Sequence, residues 1–398
     1  IGNALSLGIG GIMAKFHALI IGGGATGGAL AHDLALRGLQ VTLVERHEVT
    51  SGTSGRHHGL LHSGGRYAVK DQESAIECIE ENMILRHIMP GTLELNDGLF
   101  IALTDEDVEY SKDFIAGCAE CDIPTRVLTR EEALAMEPKL NPAIKMAVQV
   151  PDGTMDAWRM PIRFFATAKK NGATIKRYTE VLEINKQGDT VTGVRVRDNI
   201  TLKEYDIGAD IVINAAGAWS GKIAEMAGAD VPVRPSPGIM LAVYGRLCNM
   251  VVNHLAPSSD GDIIVPIRGL SVVGTTSWVV EDPDDLGLPQ DHVQRMWEKG
   301  AEMIPEVAQS KFRGAWSAAR PLVGARGADT GRELSRTFKC FDHLEDGVEG
   351  FVTITGGKAT TARGMAEATA NVVCGKLGVD EPCRTREVVT LPHTAFFN

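Results

Sequence analysis

The sequence predicts an α/β fold, α+β overall, in which a parallel-sheet domain is interleaved with an antiparallel-sheet domain. Three observations carry this expectation. The first is a strand–turn–helix–strand unit near the start. It comprises the apolar run at 18–22, a glycine-rich turn at 22–27, a helix-like stretch to Arg37 closed by Gly38, and the run at 41–45. Short apolar runs without alternation belong to strands buried on both faces, as in parallel sheets. The second is a pair of later strands that also end in glycine, at 209–217 and before Gly356-Gly357-Lys358. The third is the recurrence of β-branched residues between turn signals over 174–198 and 238–280, which reads as hairpins and meanders. The parallel part is therefore Rossmann-like, and insertions into it build the second domain.

The other elements follow in order. Residues 99–103 read as a strand, and 105–138 as charged and mostly helical, with Pro138 near the end. A hairpin turns at Gln187-Gly188-Asp189. A helix is expected at 290–303, a strand–turn–strand at 336–355, and an Ala-rich helix from Lys358 to Lys376. The parallel-sheet domain is assigned residues 13–96, 151–232 and 321–398; the antiparallel substrate or cap domain is assigned 97–150 and 233–320. Residues 1–12 read as leader or expression-derived sequence ahead of Met13. No internal repeat and no low-complexity linker is present.

Composition narrows the function classes. The 398 residues are 44% hydrophobic and 23% charged, with a net charge of −11. That field argues against nucleic-acid binding and requires any anionic substrate to meet a local basic pocket. Seven scattered cysteines fit a reducing cytoplasm better than a disulfide framework. Cys118 and Cys121 form a lone C-x-x-C. Without a second closely spaced pair it reads as two buried cysteines one helical turn apart, and no metal site is expected. No apolar run approaches the roughly 20 residues of a membrane span.

Gly22, Gly24 and Gly27 fit G-x-G-x-x-G, and Ala25 and Thr26 complete the turn. The first glycine permits the tight turn, the second lets backbone approach a pyrophosphate, and the third lets helix and strand pack closely. The pyrophosphate then lies at a helix N-terminus. Glu45 ends the second strand about 20 residues on, where a ribose hydroxyl is recognised. Two further turns separate FAD from NAD: Ala215-Ala216-Gly217, and Gly356-Gly357-Lys358. The latter puts a helix N-terminus where it can stabilise negative charge on a reduced flavin.

The chain resembles the FAD-dependent glycerol-3-phosphate dehydrogenases of the D-amino-acid-oxidase-like superfamily, and within them the catalytic A subunits of the anaerobic bacterial enzymes. The residues that carry this are Ile20–Gly27, Val44–His47, Gly52–Ala68, Asn96–Phe100, Val150–Thr154, Ala319–Leu322 and Thr353–Arg363. The resemblance implies that Arg46, Ser51, Thr53, Ser54, the backbone of Gly59, Leu60 and Leu61, and Trp219 lie along FAD. It implies a substrate pocket of Arg66, Tyr67, Arg320, Arg336 and Lys358. Converging Arg and Lys donors suit a phosphate dianion; Arg326 and Arg332 read instead as surface ion-pair residues. A histidine that aerobic relatives carry in the pocket is replaced near Gly238–Met240. The implied reaction oxidises sn-glycerol 3-phosphate to dihydroxyacetone phosphate, with hydride passing to the flavin. His62 is the candidate base, with a structural histidine as the alternative; Lys358 or Arg320 polarises the alkoxide; His57 and His58 are structural.

Electrons would then leave to a quinone or to a separate iron–sulfur partner, at a peripheral site on the inner face of the membrane; an O₂-using branch stays open. The anaerobic enzymes' catalytic chains continue into a cysteine-rich C-terminal domain that this sequence does not include. The expectation is a cut chain or a shorter branch with a separate acceptor. A homo-oligomer is possible. Three alternatives stand beside this reading: an L-2-hydroxyglutarate-type dehydrogenase of the same fold, an NAD(P) dehydrogenase, and a non-catalytic FAD-binding component of an electron-transfer complex.

Overall fold

A computed structural model describes residues 16–324 and 335–398. Residues 1–12, Met13, Arg326 and Arg332 lie outside them.

The His17–Ile21 strand is the centre of a six-stranded sheet, flanked in parallel by Gln40–Val44 and Ile211–Asn214. Thr174–Lys176 lies beyond the first neighbour. Phe351–Gly356 and then Phe338–Asp342 lie beyond the second, the last pair alone being antiparallel. The unbroken apolar run of the central strand is explained by its two faces. Ala18 and Ile20 pack with Leu30, Leu43 and Phe165 on one side; Leu19 and Ile21 pack with Val44, Val212 and Phe351 on the other. Helices Ala25–Leu36, Arg159–Lys170 and Ala362–Leu377 contribute to the first layer. An antiparallel meander of Thr179–Gln187, Thr190–Asp198 and Glu204–Gly208 contributes to the second.

A second, eight-stranded sheet is ordered Phe312–Val323, Val233–Tyr244, Leu270–Gly274, Ile263–Ile267, Val251–His254, Gly98–Ala102, Met146–Val150, Arg126–Thr129. All its pairings are antiparallel except Val251–His254 with Gly98–Ala102. Helix Gln290–Met303 packs on it through Met296 and Met303.

One expectation is refined and one corrected. The stretch 105–138 is mostly helical, as expected, but it is divided in two. Helix Asp105–Glu120 is followed by the edge strand Arg126–Thr129 and the short helix Arg130–Met136. Capping boxes at Thr104/Asp107 and Thr129/Glu132 start the two helices separately. The C-terminal helix begins at Ala362, not beside Lys358. Gly356 (φ +90°) and Gly357 (φ +64°) turn the chain left-handed first, and the Lys358 N–H donates to Thr361 Oγ1. Cys118 and Cys121 are both buried, in and just after helix Asp105–Glu120. Among the described residues no helix is long and apolar enough to cross a membrane.

His32 sits fully buried in helix Ala25–Leu36, beside Phe164, with neither ring nitrogen hydrogen-bonded. Burial lowers its pKa to about 4. The unfolded chain binds a proton below about 6.5 and the folded chain does not, so this contribution to stability is complete above 6.5 and falls away as pH drops towards 4. His32→Leu is expected to stabilise the fold by about 1–3 kcal/mol at pH 7. The gap over the parent protein should widen by about 2 kcal/mol at pH 5. Urea unfolding at the two pH values checks this; an unchanged gap contradicts it.

Candidate active site

The carboxyl ends of the parallel strands open into a cavity of about 870 Å³, lined by Ile21, Val44, Ala215 and Ile354 among others. Open α/β sheets bind ligands at this edge. The glycine turn is shaped by contacts that leave no room for side chains. A Cβ on Gly22 (φ +113°) would lie 2.5 Å from Ala215 O, and one on Gly27 would lie 2.0 Å from Gly22 O. Gly24 begins helix Ala25–Leu36 with no side-chain cap, and Gly24, Ala25 and Thr26 face the cavity. The Ala25 N–H donates to Ser54 Oγ at 2.8 Å. Glu45 is fixed by two backbone donors: Gly23 N–H reaches Oε2 at 2.7 Å and His47 N–H reaches Oε1 at 2.8 Å. An ionised carboxylate has further acceptor sites for a hydroxyl. Arg46 stacks over the Trp219 ring at 4.7 Å.

The segment after the second strand carries Ser51, Thr53 and Ser54 along the wall, and Thr53 Oγ1 donates to Ala319 O on the other sheet. Ala216, Gly217, Gly356 and Gly357 complete this part of the cavity, with Leu60. Gly27, Gly59 and Leu61 do not reach it. Gly27 serves helix–strand packing, Gly59 (φ +87°) turns against Ile267 and Met155, and Leu61 is wholly buried in the core.

Histidines and cations gather elsewhere on the same cavity. His57 and His58 each accept a neighbouring backbone N–H at Nδ1, from Gly59 and Leu60. Burial lowers His57 to about 4 and His58 well below its ordinary value. His62, its ring 5.5 Å from that of Tyr67, is also held well below the usual range. Burial is the main cause, reinforced by His58, Lys358 and Arg66. Arg66 donates to Asp262 (2.6 and 2.7 Å) and Ser258 Oγ. Burial works against its charge, but Asp262 more than offsets that.

Arg320 projects from strand Phe312–Val323 and donates to Thr275 Oγ1, Thr276 O, Ser236 O and Pro237 O. A Cβ on Gly238 would lie 2.5 Å from its guanidinium, so the glycine makes room for it. Arg336 lines the cavity and its carbonyl accepts from Lys358 Nζ at 2.9 Å; that ammonium lies 4.9 Å over the Tyr67 ring. Sequence reasoning missed Asp262, Asp284 and Thr275. Asp284 accepts from Arg46 and Trp219 Nε1 at the cavity wall. These residues stand in turn-rich stretches that carry no motif.

A helix N-terminus without a side-chain cap, a glycine cradle that a Cβ would fill and a fixed acid after the second strand fit FAD. Together with the cation cluster they define a dinucleotide-cofactor oxidoreductase. The chain belongs to the FAD dependent oxidoreductase (DAO) family, which matches residues 17–372. It is 44% identical over 381 residues to the A1 subunit of the anaerobic glycerol-3-phosphate dehydrogenase of Haloferax volcanii, covering 93% of this chain and 65% of that protein. It is 43% identical over 373 residues to the A subunit of the Escherichia coli anaerobic glycerol-3-phosphate dehydrogenase, covering 93% of this chain and 69% of that one. This chain thus spans about two thirds of their length. The glycerol-3-phosphate dehydrogenase of Bacillus halodurans, solved with FAD, superposes with a TM-score of 0.71 at 25% identity, over 96% of this chain and 69% of that one. FAD is the cofactor of this chain.

Proposed function

We propose that this chain oxidises sn-glycerol 3-phosphate to dihydroxyacetone phosphate with its FAD. The observation that carries the reading is that Arg66, Arg320, Arg336 and Lys358 all line the cavity that fits FAD, in a chain of net charge −11. In such a field a cation cluster on a cofactor cavity selects an anionic substrate, and guanidinium groups match phosphate oxygens. The names of the Haloferax volcanii and Escherichia coli relatives support the same substrate.

The flavin supplies a two-electron, hydride-accepting ring. Neutral His62 takes the hydroxyl proton. Arg320 would stabilise the developing alkoxide, and Lys358, Arg66, Arg336 and Tyr67 would hold the phosphate and so orient the carbinol carbon. Ala25, Thr26, Ser51, Thr53, Ser54 and Glu45 hold the pyrophosphate and ribose. Arg46 and Trp219 cover the adenosine end. Electrons pass on to a quinone or an iron–sulfur partner at the membrane surface. The test compares flavin reduction by sn-glycerol 3-phosphate, glycerol and L-2-hydroxyglutarate. Phosphate ester alone reducing at speed supports the reading; faster reduction by the dicarboxylate overturns the substrate.

A further inference from the structure

One carboxylate behind the cation wall has no part in that scheme. Glu77 lies on helix Gln72–Ile88 and does not line the cavity. Its Oε2 is buried with no hydrogen-bond partner, 3.9 Å from Lys358 Nζ. That separation is within ion-pair range but too long for a hydrogen bond. Lys358 is 8% exposed and Glu77 20%, so the two charges meet where water screens them only in part.

An ammonium has three N–H donors. One of Lys358's reaches Arg336 O, and the group lies against the face of Tyr67. The pair is therefore attractive but loosely made, and leaving Oε2 without a donor costs about 1–3 kcal/mol. A phosphate oxygen in the cavity offers Lys358 the charge-assisted hydrogen bond that Glu77 does not make.

We propose that Glu77 is a displaceable counter-ion, a positioning residue that holds the Lys358 ammonium while the pocket is empty and yields it to the anion. The inference rests on the phosphate reading of that pocket. Substrate then enters by exchange of one anion for another, and the product leaves as Glu77 reclaims Lys358.

The surroundings set how this depends on pH. Glu73, Asp71 and Glu81 bear on Glu77 with like charge, and Lys358 is the cation acting on it. Asp71 accepts from Arg336 N–H and Ser335, and Glu81 from Arg363. Burial, the largest effect, and those acids push Glu77 up to about 7. Above that pH it is ionised and competes with the phosphate for Lys358; below it, protonated, it does not. Anion affinity should therefore fall as pH rises through neutrality. His57, His58 and His62 share the pocket, but burial keeps them neutral over that range.

Sulfate is the suitable probe because its own charge is constant from pH 6 to 8. Its binding to the FAD-loaded protein is read from the flavin spectrum. In the parent protein the dissociation constant should rise about fivefold between pH 6 and 8. In Glu77→Gln it should be flat and as low at pH 8 as the parent's at pH 6, and Glu77→Ala should agree. A Glu77→Gln profile matching the parent's, or weaker binding at every pH, overturns the inference. If Lys358→Ala abolishes sulfate binding while the Glu77→Gln profile matches the parent's, only Glu77's role fails. Sulfate that never perturbs the flavin overturns the phosphate reading and this inference with it.

Discussion

Replacing His62 with glutamine is expected to slow reduction of the flavin by glycerol 3-phosphate by about 10²–10⁴-fold, the usual worth of a general base. Anaerobic single-turnover kinetics measures it without interference from the electron acceptor. The expectation comes from the company His62 keeps. Burial, His58, Lys358 and Arg66 all disfavour its imidazolium, so the ring stands neutral and able to accept a proton. The same neighbours would oppose that proton once accepted, unless a phosphate dianion sits among them. The substrate's remote phosphate thus strengthens the base at the reacting carbon. Glycerol, lacking the phosphate, should lose rate at saturation and not only affinity.

The pH profile has a defined sign. The active form is unprotonated, and its pKa is lowered well below 6.5 in the free protein. The acid limb that His62 itself contributes to kcat/KM should therefore lie well below pH 6.5, separate from the substrate phosphate's own protonation at about 6 and from the loss of anion affinity above about 7. Reduction by His62→Gln within about threefold of the parent's would make His62 a structural histidine and leave the base unassigned.

Gly27→Ala should yield protein without flavin, destabilised by about 3 kcal/mol or more. A methyl group there would stand 2.0 Å from Gly22 O, which cannot yield without opening the turn. Gly22 is itself braced against Ala215 O, the end of a neighbouring strand. The helix N-terminus and the strand end would separate, and the pyrophosphate cradle with them. Gly269→Ala is the control, because nothing lies within 4 Å of its Cβ position. The ratio of visible to ultraviolet absorbance after purification, with thermal melts, reads both variants. Gly27→Ala carrying its full flavin would contradict this account of the turn.

The difference between these two sites explains what could be read in the sequence. The glycine turn, its flanking strand and Glu45 are local: their geometry is written in consecutive residues and one spacing. The hairpin at Gln187-Gly188-Asp189 and helix Gln290–Met303 were legible for the same reason. The cation wall is not local. Arg66, Arg320 and Lys358 come from a 3-10 turn, a strand of the second sheet and a loop before a helix, and only a family resemblance assembles them. Their carboxylate partners have no such aid. Asp262 and Glu77 have an ordinary turn and an ordinary helix around them, and their meaning lies in what faces them across the fold. Strands as short as Leu60–Leu61 and Arg126–Thr129 show no period to detect. The resemblance implies that the backbone of Gly59 and Leu61 lies along the cofactor; neither residue lines the cavity, and the Leu61 side chain is buried in the core.

The central claim is that glycerol 3-phosphate delivers two electrons directly to the FAD of this chain. A visible spectrum of the purified protein, recorded without oxygen before and after adding sn-glycerol 3-phosphate, tests it most directly. The account predicts a yellow protein whose flavin band bleaches, with one dihydroxyacetone phosphate formed per flavin reduced. A yellow protein left unbleached by glycerol 3-phosphate would contradict it.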